Sequence, residues 1–350
     1  MLLRSRAPVR IDFAGGWTDV ALFTKESKGL VVNAAINIYS FATIACDNGQ
    51  SKNDFAGKQP DSKNGVRLYS ADFDVHVETP DVSQLKYDGN IDLVKAAMRK
   101  MLGKGNGFIL STQSIAPPES GLGTSAAMGV ALIGVLSAFK ESPLLSYEYA
   151  ELASSIERHE LGILGGKQDH YASAVGGINF MEFVGEEVKT SSLKIASDVC
   201  YELEKNLVLC YSGKSRPSGN IHQNVTDAYV NKEAKTRTAL RNMKEIACEA
   251  KSALMNGKLE NFGQLLNENW ANQKSLHPSV TNEHIDGLFK TALSHGAIGG
   301  KACGAGGGGC LVFYCNPDQE HRVRQKLEES GAKIIDFNFD FGGLQTWRVD

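Results

Sequence analysis

The chain has 350 residues, enough for about two domains at the usual ~150 residues each. Its 37 Lys and Arg against 40 Asp and Glu leave a net charge of −3, so there is no basic surplus for nucleic acid or an anionic membrane. The start, MLLRSRAPVR, lacks a signal-peptide core, no segment reaches the ~18 apolar residues of a membrane span, and seven cysteines without a CxxC pair read as free thiols of a reduced, cytoplasmic protein.

Apolar runs and alternation predict strands over 7–13 and 30–46. VRLYSADF and VHVETP read as two more, after a polar stretch at 47–65 with the composition of a surface loop. A helix is expected near 91–102 and a strand at 107–114; then PPESGLGTSAAMGVALIGVL sets turn formers before a long apolar helix. Ser146 is placed to cap a helix running to His159, and a Gly-rich turn, LGILGGKQDHYASAVGG, leads into the strand INFMEFV. Beyond about residue 195 come a short buried strand, NLVLCYSG, long helical stretches at 222–256 and 258–275, and a third at 281–295. The end reads as strand IGGKACG, glycine-rich loop, strand GCLVFYC, helix at 317–330 and strand AKIIDFNF. This order predicts two α+β domains, 1–195 and 196–350.

Four stretches carry candidate chemistry. In GLGTSAA at 121–127, Gly121 and Gly123 permit a backbone with inward N–H groups, and the helix start adds its dipole. Thr124 and Ser125 add hydroxyls suited to a phosphate oxygen or a magnesium ion. An ordinary capped turn is the alternative, and neither a Walker loop nor a GxGxxG turn is present. KACGAGGGGC at 301–310 holds five glycines in ten residues, a flexible hairpin tip or a place of close backbone or ligand approach. APVRIDFAGGWTDV at 7–20 puts Arg10 and Asp12 on one strand face, then a turn at Gly15 and Gly16, then Asp19; solvated charges on an edge strand would look the same. In GGKQDHYASAVGG at 165–177, Asp169 is either a turn residue or a carboxylate placed to take a proton from a hydroxyl.

Together, the stretches at 7–20, 121–127 and 301–310 resemble the three signature motifs of the GHMP small-molecule kinases, and the resemblance covers nearly the whole chain. The pattern Pro-x-x-x-Gly-Leu-Gly-Ser-Ser-Ala is met from Pro117 to Ala126, with Thr124 for the first serine. The resemblance implies a two-domain α+β fold with the ATP and substrate cleft between the domains. Pro117, Gly121, Leu122, Gly123, Thr124, Ser125 and Ala126 would form the loop around the ATP phosphates. The glycines at 304–309 would back that loop from the other domain, with Gly306 and Gly307 toward the substrate. Asp169 matches the base of galactokinase-like members, and Arg10 the basic residue that keeps it ionised and stabilises the transferring phosphoryl group. Ser125 and Glu157 match magnesium ligands, a solvated helix carboxylate being the alternative for Glu157. Lys167 is placed to touch phosphate, to tune the base, or simply to be exposed.

Galactokinases carry Glu-His-Thr-Asp where this chain has GGWTD. Gly16 and Trp17 therefore argue against galactose, while Asp19 keeps the hydroxyl-binding aspartate. RSRAPVRIDFAGGWTDV, GGKQDHYASAVGG and FNFDFGGLQTWRV resemble the heptokinase branch, and fucokinase domains share a related GGWTD turn. The resemblance implies phosphorylation of the anomeric hydroxyl of D-glycero-D-manno-heptose 7-phosphate, with ATP and Mg²⁺; the charge leads us to expect no nucleic-acid or membrane partner, and a homodimer is left open. Lys214 and Arg216, in YSGKSRPSGNIHQ, are either the anion site for the sugar phosphate or a solvated basic loop. A non-catalytic sugar sensor on the same fold is the rival from another class; Asp169 and Arg10 both being present counts against it. The GGWTD turn counts against a mevalonate diphosphate decarboxylase.

Overall fold

The computed structural model describes residues 1–46, 65–117, 119–213 and 218–349, the side chains of 218–220 excepted. The polar stretch at 47–64, Lys214 and Arg216 lie outside the described residues.

The chain opens with β1 (Leu2–Ala14), a single helical turn α1 (Ala21–Thr24) and β2 (Gly29–Cys46). β3 (Val66–Ser70), β4 (Val75–Thr79), α2 (Asp92–Leu102), β5 (Phe108–Ser114) and the long helix α3 (Thr124–Phe139) follow. Next come α4 (Ser146–Ser155), which widens into a π-turn at Ile156–Glu160, α5 (Gln168–Val175), and the hairpin of β6 (Ile178–Val184) and β7 (Glu187–Ser192). The second half holds α6 (Ser197–Asn206), β8 (Leu207–Tyr211), α7 (Ser218–Val230), α8 (Ala234–Met255) and α9 (Leu259–Lys274). It ends with α10 (Glu283–Ser294), β9 (Ala297–Ala302), β10 (Cys310–Cys315), α11 (Glu320–Glu329), β11 (Lys333–Ile335) and β12 (Gln345–Val349).

Two sheets result. The eight-stranded sheet runs β12-β1-β2-β5-β3-β4, with β6 on the first part of β2 and β7 beyond it. At 18 residues β2 is long enough to be shared: residues 29–34 pair with β6 and residues 40–46 with β5. The second sheet has four antiparallel strands in the order β11-β8-β10-β9. β12 returns to pair with β1, so the first sheet takes chain from both sides of residue 195.

β1 is buried on both faces from Ala7 onward. Val9, Ile11 and Phe13 enter a core shared with Ala247 and Leu254 of α8 and Phe262 and Leu266 of α9. Phe13 meets Phe262 edge to face at 5.2 Å, a geometry that contributes about 0.5–1.5 kcal/mol beyond area burial. One apolar core therefore joins the two sheets. With successive side chains on opposite faces, Arg10 and Asp12 turn away from that core. α3 is apolar all round, and 11 of its 16 residues are buried. Such a helix has no solvent face to choose, so packing among α2, α4 and the sheet fixes where its N-terminus lies.

Some elements differ from expectation. The stretch at 222–256 is two helices, broken at Lys232, whose φ is 59°; the break lacks the Gly or Pro that would mark it. The glycine-rich segment before β6 hides α5, which ends where Gly176 and Gly177 take φ of 72° and 76°. Ser146 starts α4 but does not cap it; the Glu148 carboxylate instead accepts the Leu145 N–H at 2.7 Å. Within AKIIDFNF, Lys333–Ile335 pairs with β8, after which the chain crosses to the first sheet and Phe339 bridges Ile36. All seven cysteines are unpaired, and no helix among the described residues is long and apolar enough to cross a membrane.

Candidate active site

The GGWTD turn after β1 is built around an unusual backbone. Trp17 has φ of 78°, which strains a bulky side chain by about 1–3 kcal/mol and persists only where its surroundings enforce it. They do so on two sides. The Thr18 hydroxyl lies 2.7 Å from the Gly15 carbonyl and accepts the Leu30 N–H at 3.0 Å. Across the molecule, Gly15 donates its N–H to Asn269 Oδ1 of α9 at 3.1 Å. The Trp17 ring is thereby turned inward, 8% exposed, against His222 of α7 at a centroid distance of 4.5 Å.

Asp19 closes the turn. Its buried carboxylate accepts the Gln168 N–H at 3.1 Å, and no cation pairs with it among the described residues. Burial, reinforced by the charge of Asp169, pushes its pKa up to about 6. Gly166 permits this approach, since a Cβ there would lie 1.8 Å from Asp19 Oδ2. Gly16 does the same for Asp12: a Cβ would sit 2.1 Å from its Oδ2. That oxygen also accepts from Lys301 Nζ at 2.8 Å, and Lys301, wholly buried on β9, reaches the Asp12 and Ala302 carbonyls as well.

Arg10 ties the cleft together. Its Nε and Nη2 both donate to Asp169 Oδ1 at 2.7 Å, while Nη1 donates to the carbonyls of Gly121 at 2.7 Å and Cys303 at 3.1 Å. Burial opposes the guanidinium charge, but Asp169 and Asp12 hold its pKa above the ordinary arginine value. Because Oδ1 takes both N–H groups, Asp169 Oδ2 makes no hydrogen bond within the described residues, and the side chain is 25% exposed.

The loop before α3 passes beside this pair. Gly121 and Gly123 take φ of 73° and 77°, and Gly123 caps α3 without any side-chain bond. The helix N–H groups and their dipole are thus left facing the cleft, as anion binding requires. A Cβ on Gly123 would lie 2.9 Å from Asp169 Oδ2. Behind the loop runs the second glycine-rich stretch. A Cβ on Gly304 would come 2.7 Å from the Gly121 Cα, and Cys310 donates its N–H to the Ser120 carbonyl at 2.7 Å. The two stretches therefore form opposite layers of one wall.

Beyond Thr124 the Ser125 hydroxyl donates to Glu157 Oε1 at 2.5 Å, and His170 Nε2 lies 2.6 Å from Glu157 Oε2. Glu157 projects from the π-turn after α4, a distortion that often marks functional positions. Burial would raise its pKa, but the hydrogen bond and charge of His170, with the Ser125 hydroxyl, hold it below the usual glutamate value. The solvated alternative for Glu157 thus falls away, as it is 8% exposed.

These groups surround a cleft of about 310 Å³, the scale of a small-ligand site. Arg10, Gly16, Trp17, Asp19, Gly121, Gly123, Thr124, Ser125, Ala126, Glu157 and Asp169 all line it. Leu122 is buried beside it and lends its carbonyl to the Arg10 N–H, while the Pro117 carbonyl closes the turn with Ser120. Other positions lie elsewhere. Gly306 and Gly307 pack against Val280 and Asn282, and the cleft lining from that loop is Cys303, Gly304 and Ala305. Lys167 is neither exposed nor turned to the cleft; it is buried against the Glu151 carboxylate at 2.9 Å and the Glu186 carbonyl at 2.7 Å. Sequence reasoning gave no role to Lys301, His170 or His222. All three lie in quoted stretches, Lys301 opening KACGAGGGGC, His170 in GGKQDHYASAVGG and His222 in YSGKSRPSGNIHQ, but nothing local to them names their partners.

A helix end without a side-chain cap, beside an open carboxylate oxygen, offers an anion site next to a proton acceptor. Comparison with known proteins agrees. Residues 92–177 match the model of the GHMP kinases N terminal domain and residues 250–333 that of the GHMP kinases C terminal. The chain is 32% identical to the D-glycero-alpha-D-manno-heptose 7-phosphate kinase of Campylobacter jejuni, covering 99% of both. It is 27% identical to the bifunctional fucokinase/GDP-fucose pyrophosphorylase of Arabidopsis thaliana, over 92% of this chain and 31% of that protein. A crystal structure of a D-glycero-D-manno-heptose 1-phosphate kinase from Bacteroides thetaiotaomicron matches with a TM-score of 0.79 at 29% identity, covering 99% of each chain. The chain belongs to the GHMP kinases and is an enzyme of that kind.

Proposed function

We propose that this enzyme is an ATP- and Mg²⁺-dependent sugar 1-kinase that converts D-glycero-D-manno-heptose 7-phosphate to the 1,7-bisphosphate. The observation that carries the reading is the pairing of Asp169 with Arg10 through one oxygen, which leaves the other open beside the α3 N-terminus. In this reading Asp169 Oδ2 takes the proton of the attacking hydroxyl. Arg10 fixes the orientation of that carboxylate through Oδ1 and adds positive charge where the phosphoryl group transfers. The free N–H groups of α3 hold the ATP phosphates, with the Thr124 hydroxyl beside them. Gly16, Trp17 and Asp19 shape the sugar side of the cleft.

The residues present suit Mg²⁺. Among the described residues no three His, Cys, Asp or Glu side chains converge as a metal cage. Mg²⁺ needs none, because it takes one or two protein oxygens and completes its shell with phosphates and water. Glu157, held ionised, and the Ser125 hydroxyl would hold it at the mouth of α3. When bound, the ion neutralises charge on the nucleotide phosphates. We also divide the chain near residue 195, counting β12 with the first half because it pairs with β1.

The similar kinases carry names that put the substrate phosphate at different ends of the heptose, on O7 in one and O1 in the other. The test is therefore an ADP-release assay with heptose 7-phosphate, heptose 1-phosphate, free heptose and L-fucose, followed by NMR assignment of the phosphorylated position. The 7-phosphate should turn over best and gain its phosphate at C1. Preference for L-fucose would replace the heptose assignment with a fucokinase activity.

A further inference from the structure

Most charged groups lining the cleft have a protein partner: Arg10 and Asp169 pair with each other, Asp12 with Lys301 and Glu157 with His170. His222 differs. It lines the cleft from α7, within electrostatic reach of Asp169, and neither ring nitrogen is hydrogen-bonded within the described residues. One face of its imidazole is covered by Trp17, the residue whose strained backbone is enforced from both halves of the molecule. Enforced strain at a ligand-facing ring points to a requirement outside folding itself. A half-buried imidazole with unused nitrogens calls for a hydrogen-bonding ligand in the same place.

We propose that His222 is a specificity-determining residue of the acceptor site, where its imidazole, held against Trp17, hydrogen-bonds a hydroxyl of the sugar. The proposal rests on the reading of the cleft as a sugar-kinase site. Burial lowers the pKa of His222 against the opposing charge of Asp169, which favours the neutral ring. A neutral imidazole offers one N–H donor and one lone-pair acceptor, and a hydroxyl can satisfy either. α7 then adds a contact to the sugar beyond the one made by the base. Removal of one sugar hydroxyl would leave a buried ring nitrogen unpaired, a stronger basis for discrimination than a change of apolar size.

The test uses the full enzyme with D-glycero-D-manno-heptose 7-phosphate and its 2-, 3- and 4-deoxy analogues. His222→Phe keeps a ring against Trp17 and removes both nitrogens. It should raise the KM of the parent sugar about tenfold, with the KM of ATP unchanged and kcat within about threefold. It should also erase discrimination against one deoxy analogue that the wild type disfavours by a similar factor, and His222→Asn should restore part of it. A folded His222→Phe enzyme with the wild-type sugar KM and the wild-type deoxy profile overturns the proposal. Should that variant not fold, the same two readings from His222→Leu, which also removes both nitrogens, decide. If the wild type turns over none of the sugars, the kinase reading and the proposal fall together. If it prefers L-fucose, the heptose reading alone falls, and deoxy-fucoses decide His222 by the same criterion.

Discussion

On the Asp169 side of the cleft, one carboxylate oxygen takes both bonds from Arg10 and the other stays open. On the Glu157 side both oxygens are engaged, by Ser125 and by His170. The two carboxylates face the same space and are both tied to nitrogen groups, so charge alone does not separate them. Their free valence does. An open oxygen can exchange a proton with a ligand, whereas a carboxylate held at both oxygens keeps its charge in one place. Asp169→Asn breaks the comparison most directly. It should lower kcat by about 10²-fold or more while the KM of ATP stays near the wild-type value. A variant that keeps near wild-type turnover would remove Asp169 from the base role.

Arg10→Lys tests how the open oxygen is kept open. Lysine retains the charge but not the planar fork, so it cannot serve Asp169, the Gly121 carbonyl and the Cys303 carbonyl together. A loss in kcat of about 10- to 100-fold is expected, measured beside a thermal melt to separate it from unfolding. Glu157→Gln addresses the other side. It keeps the shape and removes the charge, so the Mg²⁺ concentration for half-maximal rate should rise about tenfold with the sugar KM unchanged. Superimposable Mg²⁺ titrations would show that Glu157 serves packing alone.

Much of this site was legible because local rules apply to it. Arg10 and Asp12 share a face because they are two apart on a strand, and the glycines at 121 and 123 take the positive φ that their loop needs. The same rules explain the miss at Lys167. Residues two apart at the start of a helix point to nearly opposite sides, so Asp169 faces the cleft while Lys167 faces Glu151 and Glu186. The Gly306–Gly307 tip and His222 were not readable for another reason. Their surroundings come from partners remote in the chain, such as Trp17 for His222, and no local pattern carries that information. The return of β12 to β1 is likewise a pairing across almost the whole sequence.

Asp19 sharpens the comparison from a third position, since it is buried like Glu157 but has no cation partner among the described residues. Its folded pKa is about 6, above the ordinary aspartate value near 4, so the folded protein holds this proton more tightly than the unfolded chain does. Stability from that proton is complete below about pH 4 and is lost as the pH rises through 6. At pH 8 the wild type therefore carries the full cost of a buried, unpaired charge. Asp19→Asn removes that charge and can still accept the Gln168 N–H. It should stabilise the protein by about 1–3 kcal/mol at pH 8, by less at pH 5, and hardly at all near pH 4. Urea midpoints of both proteins across that range test the sign as well as the size. A gain that does not change with pH would mean that Asp19 is ionised equally easily in the folded and unfolded chains. A gain that grows with pH, together with a weakened sugar KM, would show a carboxylate kept at the expense of stability because the substrate needs it.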